Sequence, residues 1–334
     1  MSRYVFPLFW GSLMLSSSAF GADPLSMGLD SLGIRFSDGT VQTTAALPPL
    51  PANMAWVAHN GGHYTSPVDA MNQLRDWCHA DSILAPDYSR CTLLIAPGVY
   101  ELGSNQLVMQ AGVNIVGMGV KTTVISGEVD DPAQGVGSAL IRGAQRTALR
   151  DLTVVNTGTF VASAGIYNME PAFIIERVEV IVDGKASFNT GIINEGAESN
   201  YTDIRVSVVG LANASCNGIE NKGMGSIEIN RARVSVSGCT DNTAIANSYA
   251  VNLRLVDVTA SAIAIGTQKA SGVWSSGSGL TIQDSRLEGR TYSLGIGSTS
   301  AKIINTQLDG PVGADSAGLQ CWGTYDNNLA IKPC

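Results

Sequence analysis

The sequence predicts an all-β solenoid, a parallel β-helix of roughly nine or ten coils with a short capping helix at its N-terminal end. Three observations carry this expectation. First, a phrase Gly-(Ile/Val/Leu)-x-(Asn/Ser) recurs as Gly165-Ile166-Tyr167-Asn168, Gly191-Ile192-Ile193-Asn194, Gly218-Ile219-Glu220-Asn221, Ala244-Ile245-Ala246-Asn247, Gly272-Val273-Trp274-Ser275 and Gly295-Ile296-Gly297-Ser298, with a weaker copy at Gly318-Leu319-Gln320-Cys321. Subtracting the anchor numbers gives steps of 26, 27, 26, 28, 23 and 23 residues, and a sustained step of that size marks stacked repeats. Second, another phrase keeps a similar step half a repeat upstream, beginning at Asp151, Arg177, Asp203, Arg231, Asp257, Asp284 and Asn305. Third, no helical periodicity follows residue 80; short β-branched stretches are instead broken by turns such as Val182-Asp183-Gly184-Lys185 and Ser237-Gly238.

Within the second phrase polar and apolar residues alternate, as in a strand with one buried face. The inward set is Leu152/Val154, Val178/Val180, Ile204/Val206, Ala232/Val234 and Val258/Ala260, thinning to Ser285/Leu287 and Thr306/Leu308. Stacking sets equivalent residues of successive coils about 4.8 Å apart. Asn168, Asn194, Asn221 and Asn247 then make an asparagine ladder at a turn, continued by Ser275 and Ser298. Asp151, Arg177, Asp203, Arg231 and Asp257 make a column of alternating sign. Exposed ion pairs contribute only about 0.2–1 kcal/mol each, so this column is expected to set register, because like charges stacked directly would be penalised.

Residues 1–21 have the pattern of a signal peptide: Arg3, an apolar run from Tyr4 to Met14, and the small-x-small site Ala19-Phe20-Gly21. That run is too short to span a bilayer as a helix, and no later transmembrane segment is evident. Residues 22–54 form an extension ending in the stiff linker Leu47-Pro48-Pro49-Leu50-Pro51. Residues 55–334 are expected to be a single β-helix domain. In it Ser66 caps a helix over about 67–77, with Pro67 at its first position and Asp69 facing the dipole. Val68, Met71, Leu74 and Cys78 share one face, suited to covering the open end of a solenoid.

Six cysteines fit an oxidising compartment and fall as near pairs, Cys78/Cys91, Cys216/Cys239 and Cys321/Cys334. Spacing alone leaves about 15 connectivities open. A net charge of −8 with 14% charged residues and no basic stripe argues against a nucleic-acid partner.

A family resemblance runs from about residue 56 to 330. Gly61-Gly62-His63-Tyr64, the helix at Asp69-Ala70, Leu93-Leu94-Ile95-Ala96-Pro97-Gly98-Val99-Tyr100, Val113-Asn114-Ile115-Val116-Gly117-Met118-Gly119 and Thr122-Thr123-Val124-Ile125-Ser126-Gly127 resemble the opening of the pectin-lyase-like superfamily. The resemblance implies a right-handed parallel β-helix that is helix-capped and entered at the Pro-Gly-x-Tyr phrase. It implies no single activity, since that superfamily holds lyases, hydrolases, esterases, tailspikes and non-catalytic proteins. The acid/base motifs of its pectinesterases, polygalacturonases and pectate lyases have no counterpart here; Asn156-Thr157-Gly158 lacks the carboxylate such a site needs. Separately, residues 33–46 resemble a phrase of phage tail fibres and bacterial surface proteins, which would fit a homotrimer or an unstructured leader.

Candidate site residues follow from the stacking. Two carboxylates on neighbouring coils could act on a glycosidic bond, which singles out Glu179 with Asp203 and Glu195 with Glu220. Arg177 and Arg205 flank the first pair and would lower its pKa values, unsuiting it to acid catalysis. His59 and His63 lack a third ligand, so no metal site is assigned. Asp130-Asp131 and Asp326-Asn327-Asn328 offer oxygens of the kind calcium takes, or else solvated turns; no other cofactor is expected. The third position of the repeated phrase should point outward. It reads Tyr167, Ile193, Glu220, Ala246, Trp274, Gly297 and Gln320, of which Tyr167, Glu220, Trp274 and Gln320 form a candidate sugar-stacking and hydrogen-bonding row unless turn loops cover it. The sequence thus points to an exported protein (periplasmic, extracellular or at the cell surface) with a polysaccharide or cell-surface glycan as partner and no recognisable catalytic site. The alternatives are a lyase or glycoside hydrolase acting on an acidic polysaccharide and a trimeric tailspike-like adhesin.

Overall fold

A computed structural model describes residues 28–30, 33–35, 41–42, 53–79, 91–196, 198–248, 251–277, 279–297, 300–314, 318–328 and 330–331. The expected signal peptide at 1–21, the proline-rich linker, Ser298 and Cys334 lie outside them. The chain divides into two units, 1–48 and 49–334. In the first, Gly28–Asp30, Gly33–Arg35 and Val41–Gln42 form a small antiparallel sheet.

The second unit is a parallel β-helix. One sheet stacks nine strands, running from Leu107–Val108 through Ala139–Arg142, Ala162–Asn168, Phe188–Asn194, Ser215–Asn221, Asp241–Asn247, Lys269–Ser275 and Tyr292–Ile296 to Val312–Ala314. The other is sixteen-stranded. Asn168, Asn194, Asn221 and Asn247 are successive register partners, as the repeat step requires. All four are fully buried. Asn168 Nδ2 donates to Asn194 Oδ1 at 2.8 Å, and Asn247 Nδ2 donates to Ser275 Oγ at 3.1 Å.

The alternating-sign column has a backbone role that alternation alone does not reveal. Asp151, Arg177, Asp203, Arg231, Asp257, Asp284 and Asn305 all have left-handed φ, between 46° and 56°. Each is a one-residue bend that folds the sixteen-stranded sheet into two sides of the coil. Asp and Asn tolerate this region, whereas a larger residue does so at a cost of roughly 1–2 kcal/mol. The two arginines are held in place by paired bonds to the carboxylate one coil below: Arg177 to Asp151 at 2.6 and 2.9 Å, and Arg231 to Asp203 at 2.6 and 2.8 Å.

The inward residues of the second phrase, Leu152 to Leu308, are all buried. Ser285 and Thr306, where the core thins, bind their hydroxyls to the carbonyls of Gln283 and Ile304 at 2.7 and 2.8 Å. The anchor glycines set the width of the interior. A Cβ on Gly165, Gly191 or Gly218 would sit 2.3, 2.2 or 2.2 Å from a methyl of Val180, Val206 or Val234 respectively. Ala244 takes the glycine's place in the coil where the register replaces those valines by Ala260 and Ala262.

At the N-terminal end the helix spans Pro67–Asn72 and continues as a 3₁₀ turn, Leu74–Asp76. Ser66 Oγ accepts from the Val68 and Asp69 amides. Pro67, Ala70 and Met71 are buried, and Trp77 Nε1 donates to the Ala70 carbonyl at 2.9 Å. The Cys78–Cys91 disulfide ties this cap to the strand Cys91–Ile95. Cys216–Cys239 closes a turn at mid-stack, and Cys321 is also disulfide-bonded.

The glycine–valine contact has a direct test. Gly165→Ala should lower stability by about 1–3 kcal/mol through overpacking. Adding Val180→Ala should make the double variant less destabilised than the sum of the two single changes, as read from denaturant midpoints. Simple additivity would show that the two columns do not limit each other.

Candidate functional site

The outward face of the nine-stranded sheet carries Tyr167, Glu220 and Trp274 of the expected row. Two columns run up it. One reads Arg142, Tyr167, Ile193, Glu220, Ala246, Trp274, Gly295 and Gly313; the other reads Ala139, Ala164, Thr190, Asn217, Thr243, Ser271 and Tyr292. Isoleucines 166, 192, 219 and 245 fill the interior behind them, and the anchor residue before each, glycine or Ala244, also faces inward, so the two columns stand outside on either side of this inward pair.

Toward the N-terminal end this face is covered. The segment around 129–138 crosses it, pairing Asp131 with Ala162 in an antiparallel bridge. Gln134 Nε2 donates to Glu220 Oε2 at 3.0 Å and Thr190 Oγ1 at 3.3 Å, while its Oε1 accepts from Lys222 Nζ at 3.0 Å. Lys222 also pairs with Glu220 at 3.2 Å. Val136 packs on a small outer cluster of Ala139, Ala164, Tyr167 and Ile193. Tyr167 therefore points outward as expected but is only 4% exposed, so it offers no ring for stacking. Burial first, then a hydrogen bond with Glu195 and the charges of Glu195 and Glu220, push its hydroxyl pKa well above the usual tyrosine range. The phenol stays a protonated donor. Glu195 and Glu220 thus both act on the Tyr167 hydroxyl, and Glu220 is held under the strap by Gln134.

Beyond Glu220 the face opens. Trp274 is 40% exposed and lies 5.9 Å, centroid to centroid, from Tyr292. Both rings lie along the sheet because glycines stand beside them. A Cβ on Gly295 would come within 2.2 Å of the Trp274 indole, and one on Gly313 within 2.4 Å of the Tyr292 ring. The result is an aromatic platform edged by Ala246, Thr243 and Ser271, with Asn217 and Glu220 beyond.

The register corrects two members of the expected row. Trp274 pairs with Gly295, not Gly297, because the chain slips by two residues where the repeat shortens. Gln320 is not on this face at all: Val312–Ala314 takes the next place in the sheet, and Gln320 pairs with Lys302 in the other one. Tyr292 and Gly313 were missed. Their signal was the shortened step itself, which breaks the phrase count.

The other expected residues lie elsewhere. Glu179, Asp203, Arg177 and Arg205 line a separate depression of about 320 Å³ with Asp151 and Val120. There the Arg231 guanidinium, bonded to Asp203, holds that carboxyl below the usual carboxylate range. Asp203 is therefore a stable anion and no general acid at neutral pH. His59 stacks on Tyr100 with centroids 4.6 Å apart, its Nε2 lying 3.1 Å from the Val99 carbonyl. Asp130 accepts from the Thr159 and Phe160 amides, and Asp326 from those of Asn328 and Ala330, each shaping a turn. No group of three or more His, Cys, Asp or Glu suited to a metal occurs among the described residues.

No family model and no curated protein sequence matches this chain. Similar solved structures include pectate lyase Pel9A, at 12% identity over 84% of this chain and 81% of that one with a TM-score of 0.51. They also include the pectin methylesterase from Aspergillus niger, at 14% identity over 85% and 93% with a TM-score of 0.50. At these identities the likeness is one of fold, the right-handed parallel β-helix of the pectin-lyase-like class.

The Asp203–Arg231 pair predicts a pH dependence. A carboxyl whose folded pKa is depressed adds stability above its ordinary pKa of about 4, and loses it as pH falls through the lower folded value. Asp203→Asn, which keeps a side chain that tolerates the left-handed bend, should cost about 0.2–1 kcal/mol at neutral pH. That difference should vanish in strong acid; a pH-independent difference in denaturation midpoint would show that the charge is not its source.

Proposed function

We propose that the protein is exported and binds a polysaccharide or cell-surface glycan along the open part of the nine-stranded face. The observation that carries this reading is the Trp274–Tyr292 platform, two rings tilted 42° to each other beside glycines and edged by hydroxyl and amide side chains. A sugar ring presents C–H groups to an aromatic face and hydroxyls to such a rim. The disulfides support an oxidising destination, and no helix among the described residues is long and apolar enough to cross a membrane. The solved structures of like fold include a pectate lyase and a pectin methylesterase, which agrees with a carbohydrate partner.

One observation favours a second reading, a lyase or hydrolase: Glu195 and Glu220 converge on the buried phenol of Tyr167. For that pair to meet a substrate the Gln134 strap must move, so binding at the open platform is the simpler function.

Retention on immobilised glycans separates the two. Trp274→Ala should weaken retention about tenfold or more, as expected for losing one buried aromatic contact, with no sugar released by the wild type. Release of reducing or unsaturated ends, abolished in Glu220→Gln, would establish the enzyme instead. Retention indifferent to Trp274→Ala would remove the platform from the function.

A further inference from the structure

We infer that the platform selects neutral glycan chains and discriminates against polyuronates, an inference that rests on the glycan-binding reading above. The residues flanking Trp274 and Tyr292 on the face are Ala246, Thr243, Ser271, Gly295 and Gly313, and none carries a charge. A uronate polymer bears one carboxylate per sugar, and a site that holds it needs a cation facing each carboxylate it desolvates.

Among the described residues, the cations nearest the platform already have partners of their own. Lys269, at the start of the Trp274 strand, is paired across the register with Asp241 at 3.8 Å. Lys222 is spent on Glu220, and on Gln134 of the strap. Arg290, two residues before Tyr292, gives its guanidinium to the Gly266 carbonyl. The outward row itself carries two charges, Glu220, an acid two strands from Trp274, and Arg142, five strands away at the covered end. A carboxylate on a bound sugar would therefore meet hydroxyls, amides and fixed anions matched to their own partners. The protein's net charge of −8 adds repulsion at long range. A neutral chain loses nothing in that setting: Asn217, Thr243 and Ser271 can exchange hydrogen bonds with its hydroxyls, while the rings take its C–H face.

The test uses the full mature chain and affinity electrophoresis in gels containing matched amounts of neutral polymers (a β-glucan, a xylan, a mannan) or of polygalacturonate and alginate. At least one neutral polymer should retard the protein about tenfold more strongly than either polyuronate. That retardation should be insensitive to ionic strength and lost in Trp274→Ala. Ala246→Lys, which places a cation beside the indole, should raise retardation by polyuronates and make it salt-sensitive. Stronger wild-type retardation by a polyuronate, also lost in Trp274→Ala, would overturn the neutral preference and leave the platform standing. Retardation by none of the polymers, or retardation unchanged in Trp274→Ala, would overturn the binding reading and this inference with it.

Discussion

The interior of this solenoid is as wide as a valine facing a glycine, and most of the structure follows from that contact. Where Val180, Val206 and Val234 project from one wall, Gly165, Gly191 and Gly218 must stand opposite, since a single added carbon would come within 2.3 Å of a methyl. Where the wall changes to Ala260 and Ala262, alanine is accepted at position 244. Volume is conserved across the core rather than residue by residue, as close packing requires. That matching keeps the coils in register over many turns, and register in turn lines up everything on the outside.

Two kinds of column grow from the register. At the sharp bend between the two sides of the sixteen-stranded sheet, seven successive coils each place one residue in the left-handed region. Aspartate and asparagine suit that position by themselves; arginine does not, and it occurs where a carboxylate one coil away holds it by two bonds. Backbone strain and side-chain pairing are therefore linked at one site. The lowered pKa of Asp203 follows from this pairing.

The outward face follows the same rule. Because stacked residues are fixed neighbours, replacing a side chain by glycine in one coil gives the ring of the coil below a place to lie down. Gly295 and Gly313 do this for Trp274 and Tyr292. Nearer the N-terminal end the same face is sealed, with Gln134 joining Glu220, Thr190 and Lys222 in one polar knot. One sheet therefore carries a buried polar cluster and an open aromatic shelf side by side.

Much of this was legible in the residues. A step near 26 makes distant residues vertical neighbours, so the asparagine ladder, the inward apolar set and the outward direction of position 167 follow from counting and alternation alone. The helix cap at Ser66 was equally plain, because its side chain acts on its own next turn. Counting failed where the step shortens: the slip that pairs Trp274 with Gly295 and sends Gln320 to the other sheet leaves no mark in the local phrase. Nor could it tell which outward residues meet solvent. Tyr167 and Trp274 occupy the same position of the same phrase, one 4% and the other 40% exposed. Local periodicity determines the direction of a side chain, because it is a property of the strand. Exposure depends on which remote segment lies across it, and only the folded chain brings residues 129–138 over Tyr167 and leaves Trp274 open.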